Sequence, residues 1–506
     1  MKHFIFLASI LFSFNCHAQK ITIQKTGELK TRTAAGMTFF KDHIFSVESK
    51  IKARIGFSAK LDKAKAAIKV KSFSKNGTLI AEKEISGGEH FYGPVEPMFI
   101  VLSDSLYLLY SRYSEDEKIN IYVARLHAGT LDITGEQNIL SFPQKNITLT
   151  IFGNSFRFYS LAHATSADGS KTVFFWCNGD NTDFHYSVVD KNFTVLRNGN
   201  GSVAGLKKMV VENIFITNDG GFYAGVTFMY YDGGAVIVCN KDEVASVVPL
   251  TLSGSAAGSV YVCDKIENDL LNVAGVTLTD NLVTGVYHGS VNIKSKTASN
   301  LTVTNLPATI IEKGNKEDYG YAKKNKYGLS ATVKMNGYSL PDGTIIIAGD
   351  LNRDISTAST AFENLKGPIL LGIIRKNGTP LMEYITKRES MGFEKYEHNF
   401  YGHVYKGNLL LFYSDAIKNL ERPSAETESL KHRGSMENSN AYLKINANGI
   451  AEKKIIDSKS QGGYLYSYHQ IIPVSENLLL QGLDTQRFEY SDYQREQTIV
   501  EVNISE

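Results

Sequence analysis

The residues in this chain best suited to chemistry are histidines set among tyrosines. His90 and Tyr92 stand in His90-Phe91-Tyr92-Gly93, and His398, Tyr401 and His403 in His398-Asn399-Phe400-Tyr401-Gly402-His403. Tyr464, Tyr466, Tyr468 and His469 stand in Gly463-Tyr464-Leu465-Tyr466-Ser467-Tyr468-His469. Alternation in a strand puts the three tyrosines of the last phrase on one side. Rings of this kind stack on sugars or hold a peptide, and equally serve to fill the space between packed sheets. Both readings stand at this level.

Metal chemistry has less behind it. His398 and His403 match no helical or finger spacing for zinc. Asp350, Asn352 and Asp354 make the D-x-N-x-D start of a calcium loop, but Ile355 replaces the turn glycine and Ala361 the bidentate glutamate. The acidic stretch from Asn178 to Asp183 is a second loop of that type, and a plain solvated loop accounts for both. Calcium is therefore the one cofactor with any ligand pattern. No H-E-x-x-H, G-x-S-x-G or Walker loop occurs, and Gly199-Asn200-Gly201 reads as a turn, not a phosphate cradle. Carboxylates paired across separate repeats would leave no local motif; Glu96, Asp180, Asp350 and Asp415 stand out by position alone, as several carboxylates in any such chain would, and the catalytic residues stay unknown.

The elements that must position these groups are strands. From Asn336 to Lys387 an apolar segment ends in Pro341-Asp342-Gly343, and Ile345 to Ala348 follows. A polar loop, Ile369 to Ile374, a Lys376-Asn377-Gly378 turn and Pro380 to Ile385 complete the unit. Tight Asp-Gly and Asn-Gly turns between β-rich runs mark hairpins, because these residues tolerate positive φ. The pattern recurs along the chain, with turns at Asn76-Gly77, Asp168-Gly169, Asp219-Gly220 and Asn448-Gly449.

The phrase SADGSKTVFF, from Ser166-Ala167-Asp168-Gly169 onward, resembles the Asp-Gly hairpin of TolB-type and WD40-like propeller repeats. The resemblance covers about ten residues and implies a fold, with nothing about activity. The expectation is all-β: a β-propeller of four-stranded antiparallel blades, eight by count and seven if the irregular fifth unit is not an independent blade. Helical patterns between strands, which a parallel α/β fold needs, are absent. The last unit has three strands and Ile21 to Gln24 is a strand left over, so the N-terminal strand is expected to close the ring beside TIVEVNI.

Residues Met1 to Ala18 have Lys2, an apolar run from Phe4 to Phe14 and a small-residue site, the pattern of a secretory signal peptide. Residues 19–506 are then one propeller domain, secreted or periplasmic, with lipid attachment at Cys16 the lesser alternative. A net charge of +2 sets up no whole-molecule field to recruit nucleic acid or anionic membrane. No later apolar run approaches the roughly 20 residues of a membrane span. Cys177, Cys239 and Cys263 lie in apolar strand-like runs and read as buried thiols, although Cys239 and Cys263 sit in adjacent units and are placed to pair.

In a propeller, turns joining first to second and third to fourth strands emerge on one face. Here these are short. The other connections are long and polar: Glu312 to Tyr327, Leu351 to Lys366, Ala416 to Asn440 and Asp484 to Gln497. Function is expected on that elaborated face. Three classes fit: a non-enzymatic module binding a protein or glycan partner, an extracellular carbohydrate-active enzyme working at the channel mouth, and a docking part of an envelope assembly.

Overall fold

The computed structural model describes residues 20–30, 36–52, 65–85, 97–143, 161–177, 183–203, 209–228, 233–316, 329–354, 363–392, 400–416, 438–456 and 471–505, apart from residues 486–495 and a few single positions or pairs. Their strands form a β-propeller. Among the described residues they gather into eight antiparallel sheets in chain order, six of four strands and two of six. We number these sheet 1 (residues 36–85), sheet 2 (98–143), sheet 3 (161–202), sheet 4 (209–250), sheet 5 (256–305), sheet 6 (332–392), sheet 7 (400–456) and sheet 8 (471–505). First strands run side by side from sheet to sheet, as Leu161–Thr165, Met209–Ile216, Tyr261–Glu267 and Thr332–Ser339 do in succession. They are the innermost strands.

The middle strands are continuous apolar runs because both of their faces are covered. In Lys171–Cys177 every residue after the first is buried, as is every residue of Phe222–Phe228 and Ile369–Ile374. Successive side chains point to opposite neighbours. Val173, Phe175 and Cys177 join a core shared with sheet 4, whereas Phe174 and Trp176 join one shared with sheet 2. Ile345 and Ile347 likewise face sheet 5, and Ile346 and Ala348 face sheet 7. The outer strand Val195–Ser202 alternates between exposed and half-buried. Its Gly199 and Gly201 are strand residues, not the turn expected from sequence. They are glycines because the rings of Tyr186 and Phe184 on the neighbouring strand lie where their β-carbons would be.

Such cores link every neighbouring pair of sheets, including the last to the first, where Ile44 and Phe73 of sheet 1 meet Val474 of sheet 8. Sheet 8 is completed by the N-terminal strand, Lys20–Lys30, antiparallel to the C-terminal strand Glu496–Ser505, with Ile21 opposite Ile504 and Ile23 opposite Val502. The closing strand is longer than the four residues legible in the sequence. Ile21 packs against the core holding Val502 and Ile504 of sheet 8 and Phe412 of sheet 7.

The short turns behave as their residues predict. Ser166 donates its hydroxyl to Asp168 (2.6 Å), Ser170 donates its N–H to the same oxygen (3.0 Å), and Gly169 sits at φ 69°. On this face side chains reach from sheet to sheet. Gln137 donates to the Asn192 carbonyl (3.1 Å), Arg197 to that of Asn240 (2.8 Å), Asn240 to that of Ile293 (2.9 Å) and Arg375 to that of Ala447 (2.7 Å). Lys75 of sheet 1 pairs with Glu501 of sheet 8 at 2.7 Å. An ion pair with an exposed lysine adds little stability.

The opposite face departs from the loops expected there. Ala308–Lys316 is a helix, α1, whose Ile310 and Ile311 seal the core between sheets 5 and 6, so the start of the charged stretch from Glu312 is not an open connection. Leu351 to Asp354 continue the strand Ile345–Asp354, and Glu363–Lys366 pairs with its end. α1 is the sole helix among the described residues and is too short to cross a membrane. Cys177, Cys239 and Cys263 are all buried, and none is in a disulfide among the described residues, so Cys239 and Cys263 do not pair. Burial pushes the Cys263 thiol up to about 12.

Two tests follow from closure and from the turns. Removing residues 19–24 strips part of the closing strand, and the whole molecule should then melt several degrees lower in one transition. A truncated protein with an unchanged Tm would refute closure by this strand. The Asp168 carboxyl is held at about 2, below its ordinary 3.8, first by the Ser166 hydroxyl and then by the Ser170 backbone. A depressed carboxylate contributes stability above its unfolded value and loses it as pH falls through the folded value. Titration of Asp168 by carbon NMR should give a midpoint near 2, and a midpoint at 3.8 would mean the turn bonds are absent in solution.

Candidate functional site

The first strands are edged by the central channel, and there sheets 4 to 7 leave a cavity of about 290 Å³. It is lined by Glu212 and Asn213 of Met209–Ile216, by residues 259–261, by 335–338 of Thr332–Ser339, by Ile347, and by Tyr401 and Gly402 of Phe400–Tyr405. Polar and aromatic groups converge on it from four successive sheets, the usual make-up of a ligand site.

Each wall has a local cause. The strand Met209–Ile216 carries a β-bulge: Val211 faces Val226 and Asn213 faces Gly225, leaving Glu212 as the extra residue. A bulge re-aims the side chain it carries. Thr227, on the adjacent strand, donates its hydroxyl to Glu212 Oε1 at 2.6 Å and orients the carboxylate. Asn213 bridges to sheet 5. Its amide donates to the Val262 carbonyl (2.7 Å) and its oxygen accepts the Val262 N–H (3.0 Å), so one side chain stands in for a strand partner.

The tyrosines follow from the radial stance of the sheets. A side chain on a first strand points toward the next sheet, and near the axis two first strands approach so closely that a ring needs a glycine opposite. Tyr261 lies against Gly337 and Tyr338 against Gly402, each ring occupying the place of a β-carbon. The Tyr261 hydroxyl meets Ser339 Oγ at 3.1 Å, and that of Tyr338 reaches the Asn336 side chain and the Gly402 backbone. Tyr401 packs toward the core between sheets 7 and 8. Burial raises the pKa of Tyr261, Tyr338 and Tyr401, so all three hydroxyls stay protonated at neutral pH.

Of the residues singled out in sequence, Tyr401 lines the cavity. His403, two residues on, is half-buried beside Tyr405, their rings 6.5 Å apart, and is not part of the lining. His90, Tyr92, His398, Tyr464, Tyr466, Tyr468 and His469 lie outside the described residues. Asp350 is fully buried in a strand, and Asn352 and Asp354 belong to the same strand, so this segment is extended backbone. No group of three or more potential metal ligands occurs among the described residues.

Sequence reasoning passed over Glu212, Asn213, Tyr261, Asn336 and Tyr338. A usable signal was present in the first strands, where Gly337-Tyr338 and Tyr401-Gly402 place a glycine beside a tyrosine at matching points of sheets 6 and 7. A glycine inside a strand marks a close approach.

No family model and no curated protein matches the chain. Among solved structures it is similar to the polysaccharide lyase Uly1, at 9% identity and a TM-score of 0.43 over 95% of this chain and 92% of that one. It is also similar to the WD40 domain of SCAP from fission yeast, at 9% identity and a TM-score of 0.40 over 96% and 98%. Hydrazine synthase of Kuenenia stuttgartiensis aligns with 59% of this chain and 71% of its own, at 17% identity and a TM-score of 0.32. Likenesses this distant carry nothing about activity.

The ring-on-glycine packing makes a direct prediction. Gly402→Ala forces a methyl into the Tyr338 ring and should cost about 1–3 kcal/mol, the usual cost of overpacking. Combining it with Tyr338→Ala should cost less than the two single changes added together, as contacting residues do. Additive losses in urea unfolding would show that the two do not touch.

Proposed function

We propose that this protein is an exported β-propeller that binds a glycan, without cleaving it, in the cavity between the first strands of sheets 4 to 7. The observation that carries the reading is the lining itself: three tyrosines brought together with amides and a carboxylate on rigid strands. Tyrosine rings cover the apolar faces of a sugar while amide and carboxylate groups meet its hydroxyls. A cavity of about 290 Å³ suits one sugar unit with the rest of the chain left in the channel.

The chemistry of the lining supports binding over cleavage. Glycoside hydrolysis uses two carboxyl groups, roughly 5–9.5 Å apart, and Glu212 is the one carboxylate among the lining residues. Proton abstraction wants a base with its pKa near the working pH, whereas burial moves these tyrosines the other way. Export is supported by the leader-like residues 1–18, and cleavage after Ala18 would leave the closing strand Lys20–Lys30 whole.

A glycan array and a polysaccharide-depolymerisation screen on the mature protein test the reading. Saturable binding without products is expected, weakened about fivefold to tenfold by Tyr401→Leu, which keeps apolar bulk against the neighbouring core but removes the ring. Release of products would overturn it in favour of an enzyme. Silence in both assays would overturn it in favour of a protein partner.

A further inference from the structure

Most polar groups of the cavity are already occupied, and those that are not define what can enter. Asn213 is bonded at both ends of its amide to Val262, the Ser259 hydroxyl accepts the Val276 N–H at 3.1 Å, and the Tyr261 hydroxyl meets Ser339. The Glu212 carboxylate is engaged by its neighbours, Thr227 among them. Three groups keep an open hydrogen-bonding position. The Tyr338 oxygen accepts the Asn336 amide and the Gly402 N–H, so its own proton has no acceptor among the described residues. Because Asn336 uses its nitrogen there, its amide oxygen is left as an acceptor. The Tyr401 hydroxyl has no hydrogen-bond partner among the described residues. Burial keeps both phenols protonated, so each is a donor at neutral pH. The Tyr338 hydroxyl lies 2.5 Å from where a Gly402 β-carbon would stand, which puts this donor at the wall that Tyr401 and Gly402 make. The rest of the wall beside Asn336 is apolar: Met335 and Ile347, both sunk in the core between sheets 5 and 6.

Two O–H donors, one amide oxygen and an apolar wall match a secondary amide that ends in a methyl group. A plain sugar hydroxyl would use a donor and leave the thioether uncovered. We propose that the cavity seats the acetamido group of an N-acetylated sugar. The inference rests on the glycan reading above and adds what that reading leaves open, the substituent by which the sugar is selected. The Tyr338 and Tyr401 protons go to the carbonyl oxygen, the acetamido N–H goes to the Asn336 oxygen, and the methyl group lies against Met335 and Ile347.

Titration calorimetry on the mature protein with the β-1,4-linked tetramers of N-acetylglucosamine and of glucose tests this, because the two differ only in acetamido against hydroxyl. The acetylated tetramer should bind at least about tenfold more tightly. Tyr338→Phe and Tyr401→Phe keep the rings and remove the donors, and each should cut that preference about twofold to fivefold. The preference is a ratio within one variant, and the melting temperature of each variant is followed as a control on folding. Equal affinity for the two tetramers overturns the acetamido assignment and leaves the glycan reading standing. A preference that both phenylalanine variants retain in full overturns the assignment of the donors. Binding of N-methylacetamide in an NMR titration that depends on Tyr338, with neither tetramer bound, overturns the glycan reading and leaves the amide site standing. No binding of any of the three overturns both.

Discussion

Burial of both faces of every sheet is the constraint on which this structure depends. A sheet such as the one holding Lys171–Cys177 sends alternate side chains into two different cores, so it is stable only between two neighbours. Burying a single large apolar side chain contributes about 1.5–3 kcal/mol, and each middle strand places several. An open row of such sheets would leave one apolar face exposed at either end. The pairing of Lys20–Lys30 with Glu496–Ser505 removes those ends, because it completes the sheet that must cover sheet 1 on one side and sheet 7 on the other. Chain termini that are far apart in sequence thereby become neighbours in one sheet.

Radial packing also creates the cavity. Sheets fan outward, so their separation is smallest at the first strands, and there large side chains fit only opposite glycine. Tyr261 on Gly337 and Tyr338 on Gly402 are that solution, repeated at consecutive interfaces. Between sheets 4 and 5 the solution differs: Asn213 bonds to the backbone of Val262, and Gly225 admits the Val260 carbonyl. The cavity lies where these two kinds of contact meet, and the bulge at Glu212 turns a carboxylate into it. Its walls are strands, and its polar groups are largely held by neighbours. On the short-turn face, side chains reach from sheet to sheet.

The sequence was most legible where a local rule and the fold coincide. Asp-Gly and Asn-Gly turns named the hairpins, and Ser166 to Ser170 folds as such a turn because Asp168 satisfies the backbone locally. Continuous runs such as FFWC and VIVC marked the middle strands. Reading failed where a long-range contact overrides the local pattern. Gly199-Asn200-Gly201 looks like a turn, yet rings from the next strand hold it extended. Asp350 to Asp354 has the composition of a calcium loop, yet it continues a strand in which Asp350 and Leu351 are buried. The stretch from Ala308 carries too few apolar residues to announce a helix, but Ile310 and Ile311 dock onto the core between two sheets and stabilise one.

By itself, then, the sequence determined an all-β chain of repeated antiparallel units and a terminal strand in need of a partner, since turns, alternation and apolar runs are short-range properties. It also supplied Tyr401 as a candidate, through its type and neighbours alone. Only the tertiary structure decided which aromatic residues share a site, because Glu212, Tyr261, Tyr338 and Tyr401 come from four sheets and span nearly two hundred positions of chain. Each is ordinary within its own strand. What brings them together is the crowding of first strands around one axis, a property of the closed ring that no single repeat contains.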